Sequence, residues 1–238
     1  MLKKTVCFAF ASLLGLSCAS AASYDNFRAV TPAALKPFAR DLGGLLGSGS
    51  NQTARPLGFA GFDIGVRGAS QFNPSSGNSV LKKNNLFGLG LVQAEIGMPY
   101  RIDGFVRGGA FEGVAVAGGG LRYGLWNLSD EKYKINAMLV GMANMATHRY
   151  FNAVHFNAGL LVSINVPVVA PFIGVAYDMT RLQAQGVDDV SLAGKKISVA
   201  AARFTAGIRV KIKLGYLAGG ITYTHARSLA NASAGFRF

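Results

Sequence analysis

The sequence predicts an all-β protein: a transmembrane, antiparallel, up-and-down β-barrel of about ten strands, preceded by a short N-terminal helical segment. Three observations predict it. The 238 residues are half hydrophobic but only 15% charged, whereas about a quarter of a soluble domain's residues carry charge. No stretch after residue 20 offers the roughly 20 uninterrupted apolar residues of a spanning helix, so the hydrophobicity is spread out. From residue 58 onward, apolar residues recur at every second position, the period of a strand with one face in lipid.

The chain begins MLKKTVCFAFASLLGLSCASAAS. Lys3 and Lys4 form a basic start, Thr5 to Ser17 an apolar stretch too short to span, and Ala19-Ser20-Ala21 a small-residue cleavage site, which together predict a secretory signal peptide over residues 1–21. An alternative takes Cys18 as the lipid-modified first residue of a bacterial lipoprotein, although Leu16 stands one position too late for that signal. Cleavage after residue 21 removes both Cys7 and Cys18. The mature chain then has no disulfide, no Cys-based metal site and no thiol nucleophile. Its formal charge falls from +13 to +11 with the loss of Lys3 and Lys4. The remaining basic residues are dispersed rather than clustered, which argues against nucleic acid and toward acidic lipid headgroups or anionic solutes.

Residues 22–57 form a separate helical and loop segment. Thr31 stands as an N-cap, Pro32 at the first helical position, and Leu35, Phe38, Leu42 and Leu45 follow at helical spacing. Pro37 is expected to break or restart this helix, because it lacks a backbone donor. GSGSNQTARP reads as a loop. The segment is expected near the periplasmic mouth, its helix either plugging the lumen or lying along the inner leaflet.

The barrel is assigned to residues 58–238, with strands over 58–71, 86–98, 102–109, 113–127, 133–146, 153–166, 170–183, 196–212, 215–226 and 228–238. The alternation is clearest in VHFNAGLLVSINV. There Val154, Phe156, Ala158, Leu160, Val162, Ile164 and Val166 point one way and His155, Asn157, Gly159, Ser163 and Asn165 the other, with Leu161 alone breaking the alternation. SVAAARFTAGIRVKI likewise sets Ala202, Phe204, Ala206, Ile208 and Val210 against Arg203, Thr205, Arg209 and Lys211. PYRI, LSDEKY, PVV and KL are short connections assigned to the periplasmic side; NPSSGNSVLKKNN and LQAQGVDDVSLAGKK are long ones opposite, the asymmetry of outer-membrane barrels. Tyr100, Trp126, Tyr133, Phe151, Phe172, Tyr216 and Phe238 gather near segment ends, as interfacial girdles do. A secreted soluble sandwich also alternates, but it would have too many outward apolar rows and too little charge on the other face.

The end, NASAGFRF, resembles the C-terminal strand of bacterial outer-membrane β-barrels. Asn231 takes the polar position and Phe236 and Phe238 the two hydrophobic ones, while Ser233 stands where Gly is usual. The resemblance implies an outer-membrane location, assembly partners in periplasmic chaperones and the barrel-assembly machinery, and a recognition role for Phe238. Residues 31–70, a short apolar helical lead followed by PLGFAGFDIGV, more loosely resemble fatty-acid-transporter-like barrels, whose N-terminal segment plugs the lumen. That family is longer and has more strands, so its transport role is not carried over.

About ten strands is close to the eight whose interior side chains fill, and well below the 16 that leave a channel. The inward rows place Asp63, Arg67, Glu95, Arg107, Arg122, Lys134, Asp178, Arg203, Arg209, Lys211 and Arg237 in the lumen, eight basic against three acidic. One reading makes them structural ion pairs in a filled barrel. The other makes them a narrow anion-favouring passage. The expected role is structural, surface-interacting or small-solute passage, for an anionic or apolar solute, in a monomer or weak associate bathed in outer-membrane lipid. The enzymatic alternative is a rim-sited protease or lipid-modifying enzyme using His148 or His225, with Asp178, Asp188 and Asp189 near the same end. ATHRYFN and YTHARS match no catalytic motif, however. His148, His155 and His225 lack metal-ligand spacing, the glycine runs lack the Gly-Lys-Ser/Thr of a phosphate loop, and no catalysis, metal or cofactor is expected.

Overall fold

The computed structural model describes residues 24–81, 87–126 and 131–238. The signal-peptide reading of residues 1–21, with Cys7 and Cys18, lies outside these. Where apolar and polar residues alternate, the chain forms strands: β1 (Phe62–Gln71), β2 (Phe87–Gly97), β3 (Ile102–Phe111), β4 (Val114–Gly124), β5 (Ile135–His148), β6 (Phe151–Ile164), β7 (Val169–Ala184), β8 (Lys196–Ile212), β9 (Gly215–Thr224) and β10 (Arg227–Arg237). Each pairs antiparallel with its neighbours in sequence, and β1 closes on β10, so the ten-stranded sheet has no free edge. The closing register is sealed at its end by Phe62 N to Phe238 O, 3.0 Å, and Phe238 N to Phe62 O, 2.8 Å.

The ten-strand, up-and-down barrel expected from sequence is the fold observed. The first strand is shorter than the predicted 58–71, because positive φ at Gly58 (83°) and Ala60 (59°) turns the chain before Phe62. Three aromatics expected in the girdles also point inward: Phe151, Phe172 and Tyr216 are buried in the lumen, whereas Tyr100, Trp126, Tyr133 and Phe238 are exposed. Parity explains it, since Phe151 shares the inward row of His155 and Asn157.

The two ends of the barrel differ. At one lie the connections after β2, β4, β6 and β8, and at the other residues 72–81 and 185–195, together with tight turns at 112–113, 149–150 and 225–226. The first is called the turn end and the second the loop end.

Of the two positions open to the N-terminal helix, the lumen is the one observed, but the helix enters it from the loop end rather than from the periplasmic mouth. A 3-10 turn (Tyr24–Ala29) covers the loop end, and α1 (Pro32–Gly47) descends from there inside the lumen. The reason lies in the inward rows of the strands. Their loop-end halves carry Leu89 and Leu91 of β2, Val114 and Val116 of β4, Leu182 of β7 and Leu229 of β10, which form one buried cluster with Leu35, Phe38, Leu42, Leu45 and Leu46 of the helix. An apolar helix face can be buried only there, away from the polar rows nearer the turn end. The helix also runs unbroken through Pro37. Pro37 stands near the start, so only the Ala33 carbonyl loses its donor, and Ala33 is exposed to water.

Candidate functional site

Below Gly47 the chain leaves the helix and runs extended through the rest of the lumen to β1. Extended backbone without a sheet partner must find donors and acceptors elsewhere, and here the barrel wall supplies them. Arg203 donates to the Gly43 and Gly44 carbonyls at 3.3 and 3.0 Å and to Ser48 Oγ at 2.8 Å. Asn144 donates to Leu46 O at 3.1 Å, and Arg107 to Ser48 O at 3.3 Å. Ser50 O accepts from both Arg122, 2.6 Å, and Gln93, 3.0 Å. Nearer the turn end, Ser163 Oγ accepts from Ala54 N, the Asp103 carboxylate from Leu57 N, and Arg237 donates to Arg55 O and Pro56 O. Arg203, which donates to two carbonyls of the last helical turns, also meets the negative end of the helix dipole.

The lumen carboxylates organise these cations into two clusters. In the first, Glu95 holds Arg122 at 2.5 Å and Arg67 at 2.9 Å, while Asp63 sits 3.3 Å from Arg67 and 3.4 Å from Arg209 and accepts from Tyr216 Oη at 2.8 Å. Arg209 stacks over the Tyr216 ring at 3.6 Å and Arg122 over Phe105 at 4.6 Å. In the second, Asp178 pairs with Arg203 at 2.6 Å and accepts from Asn157 at 2.6 Å. His155, fully buried, meets Thr180 Oγ1 at 2.9 Å and stands 3.6 Å from Asp178.

Of the eleven charges assigned to the lumen, Asp63, Arg67, Glu95, Arg107, Arg122, Asp178, Arg203 and Arg209 are buried there. Arg237 is half-buried beside the extended segment, and Lys134 and Lys211 stand at the turn end, where Lys134 lies 3.7 Å from Glu131 and Lys211 donates to Asn165 and Val166. The basic excess read from sequence therefore meets backbone carbonyls as well as carboxylates.

At the loop end the rim candidates are scattered. His148 closes β5, buried among the rings of Tyr24, Tyr150 and Phe151, with Asp25 3.6 Å away. His225 sits in the β9–β10 turn at φ 54°, and burial lowers its pKa below the ordinary histidine value. Asp188 pairs with Arg28 at 2.7 Å, and Asp189 caps the short 3-10 turn Val190–Leu192 through Ser191, hydrogen bonds that lower its pKa. Asp178 is not at this rim but deep in the lumen. Among the described residues no group of three or more His, Cys, Asp or Glu is arranged to hold a metal. Asp41, which alternation could not single out, is the buried anchor of this end. Its carboxylate accepts from Gln71, from Ser75 N and Oγ and from Asn78, at 2.6 to 2.8 Å, and so fastens the 72–81 loop to α1. An aspartate in the interior of a helix and facing its apolar stripe is the signal that would have found it.

The outer wall is apolar around the barrel: Val92, Ile96, Val106, Leu121, Leu139, Phe156, Ile173, Val175, Phe204, Ile208 and Ile221 are all exposed and all point away from the lumen. Such a belt is stable only in lipid. The chain has the fold of an outer-membrane β-barrel. Phe236 and Phe238 lie on this outer face, and Asn231, half-buried, donates to Thr222 Oγ1 at 2.8 Å.

No protein-family model and no curated protein sequence matches the chain. Solved structures similar to it include the N-terminal β-barrel domain of Pseudomonas aeruginosa OprF (12% identity, TM-score 0.39, 76% of this chain and 99% of that one). The transport unit of the autotransporter AIDA-I from Escherichia coli is similar at 12% identity and TM-score 0.36, over 88% and 99%. Neisserial surface protein A follows at 12% and 0.32, over 74% and 95%.

Proposed function

We propose that this is a stoppered barrel: an exported outer-membrane protein that passes no solute, performs no catalysis and acts through its loop-end surface in a structural or surface-interaction role. The observation that carries the reading is the path of residues 24–61, which cross the whole lumen from the loop end to β1 and take up the inward-facing arginines. The anion passage considered from sequence would require those guanidiniums to face water, and Arg67, Arg107, Arg122 and Arg203 are each at most 5% exposed. At the loop end, both long loops are tied to the N-terminal turn, through Asn26 Nδ2 to Val80 O at 3.2 Å and Asp188 N to Arg28 O at 2.9 Å. The stopper and the loops thus form one continuous face for a partner outside the cell.

Single-channel recording of the refolded mature protein in a planar bilayer tests this reading. Protein with the heat-modifiable gel migration of a folded barrel is expected to give no conductance steps. Steady anion-selective steps that shrink on Arg209→Ala would overturn the proposal.

A further inference from the structure

The closed sheet has no edge strand, but one strand outreaches its neighbour. β7 and β8 stay paired from Val169 with Val210 up to Gln183 with Lys196. β9 meets β8 only from Ile212 up to Arg203, where Thr224 ends β9 and the chain turns into β10. Residues Lys196–Ala202 of β8 therefore overhang, with β7 on one side and no strand on the other. Backbone groups alternate from side to side along a strand. The Ala202 carbonyl, which accepts from Thr224 Oγ1 at 3.0 Å, marks the residues that point to the open side. Ser198 and Ala200 share that direction, and neither has a backbone partner there among the described residues.

Natural sheets guard such rows with charge, proline, bulges or a covering element. Here Lys196 is the only charged residue: Ile197 to Ala202 carry no charge and no proline, and the strand runs through them without interruption. The overhang also stands clear of the lipid belt. Below it the outward residues of β8 are Phe204 and Ile208; along it they are Lys196, Ser198, Ala200 and Ala202, with Arg181 of β7 opposite Ser198. Arg181 and Lys196 are exposed, and so is Arg40 of α1, close enough to the β9–β10 turn for its charge to act on His225. The acidic residues of the adjoining loop are engaged elsewhere, Asp188 by Arg28 and Asp189 by Ser191. A strand laid into the notch above the turn would run between cations at both ends.

We propose that the overhang of β8 receives an extended, acidic segment of a partner protein as an added strand. The proposal rests on the surface-interaction reading above and names the partner by its chemistry. Main-chain hydrogen bonds to Ser198 and Ala200 supply affinity, and carboxylates facing Arg181 and Lys196 supply selectivity. A second copy of this chain would set Arg181 and Lys196 of one protomer against the same residues of its partner, so the charge disfavours that occupant.

The test uses the whole mature chain, folded in detergent, and a short synthetic peptide alternating valine and glutamate. Amide hydrogen exchange at Ser198 and Ala200 is read by NMR. The peptide is expected to slow both amides about tenfold when nearly all of the protein is bound, while the same peptide N-methylated throughout, which can form no ladder, leaves them unchanged. Ala200→Pro removes a donor on the open side without costing β7 a hydrogen bond, and should remove the protection at Ser198. Arg181→Glu with Lys196→Glu, both exposed, should weaken binding by about five- to tenfold, and stands as the test should the proline variant not fold. No protection at either amide, or equal protection by the N-methylated peptide, overturns the proposal. Equal binding of a peptide alternating valine and lysine overturns the acidic class, and protection that appears without peptide and grows with protein concentration assigns the overhang to a second copy instead. Channel silence with unprotected amides would remove the added strand alone, whereas conductance steps with protected amides would remove the stopper alone, so the two readings fail separately.

Discussion

In the loop-end half of the lumen, α1 lays Leu35, Phe38, Leu42 and Leu45 against an apolar wall and Phe38 enters an aromatic group with Tyr24, Phe27 and Phe151. In the turn-end half, residues 48–57 meet arginines, carboxylates and amides. The same continuous segment is held in one half by burial of surface and in the other by satisfaction of backbone groups. The difference follows from secondary structure. A helix bonds its own carbonyls and needs only an apolar face covered; extended chain leaves its carbonyls open, and in a barrel interior each open carbonyl calls for a donor. The inward rows change character where the helix ends. On β2 they pass from Phe87, Leu89 and Leu91 to Gln93 and Glu95.

The sharpest way to break the turn-end half is Glu95→Gln. It keeps the shape but strips the charge that holds both Arg122 and Arg67, leaving buried guanidiniums underpaired at a cost of about 3–5 kcal/mol. The midpoint of urea unfolding in lipid vesicles should fall accordingly, and added salt should change the deficit little because the pair is shielded from solvent. A midpoint within error of the parent would mean that the carbonyls of the stopper, not Glu95, hold the arginines.

The matching break in the loop-end half is Phe38→Ala, which empties the middle of the aromatic group and should cost about 3 kcal/mol through lost burial and the cavity left behind. Its signature differs from that of Glu95→Gln. Protease should then cut the N-terminal segment while the barrel still migrates as a folded species. If barrel and stopper are lost together, the two halves are one cooperative unit.

The junction is tested by Gly47→Ala. A Cβ there would collide with the Arg203 guanidinium and come within 2.8 Å of His155 Nε2. Arg203 cannot swing away freely, since it is bound to Asp178, Ser48 and two helix carbonyls. The expected loss is about 1–3 kcal/mol, the usual cost of overpacking, read by the same unfolding midpoint. No loss would show that Arg203 is dispensable where helix hands over to extended chain.

Much of this was legible in the sequence because a strand's period of two sorts lipid from lumen residue by residue. That rule placed His155, Arg203 and Arg209 on the inner wall. It did not place α1, since helical spacing identifies an apolar face without saying what covers it. The missing signal was in the strands, where Leu89, Leu91, Val114 and Val116 are inward yet apolar, a pattern that a water-filled or ion-paired lumen has no use for. Asp41 escaped for the opposite reason: its partners come from residues 71–78, and no local pattern joins a helix to a loop some thirty residues away.

The smallest effect expected is a titration at the loop-end turn. His225 Nε2 is buried and has no hydrogen-bond partner among the described residues, and burial holds its pKa below the unfolded value, opposed by the Asp178 charge. Above the unfolded value of about 6.5 the ring is neutral in both states and contributes no pH dependence. As pH falls through that value, the unfolded chain takes up a proton that the folded chain resists, so stability is lost until pH reaches the folded pKa and is level below it. His225→Asn keeps a residue that tolerates the turn's positive φ and removes the titration. The variant should lose less stability than the parent between about pH 7 and pH 5, measured as the difference in urea midpoints. An equal loss in both would assign the acid sensitivity to the lumen instead, where His155 lies beside Asp178 at the foot of the helix.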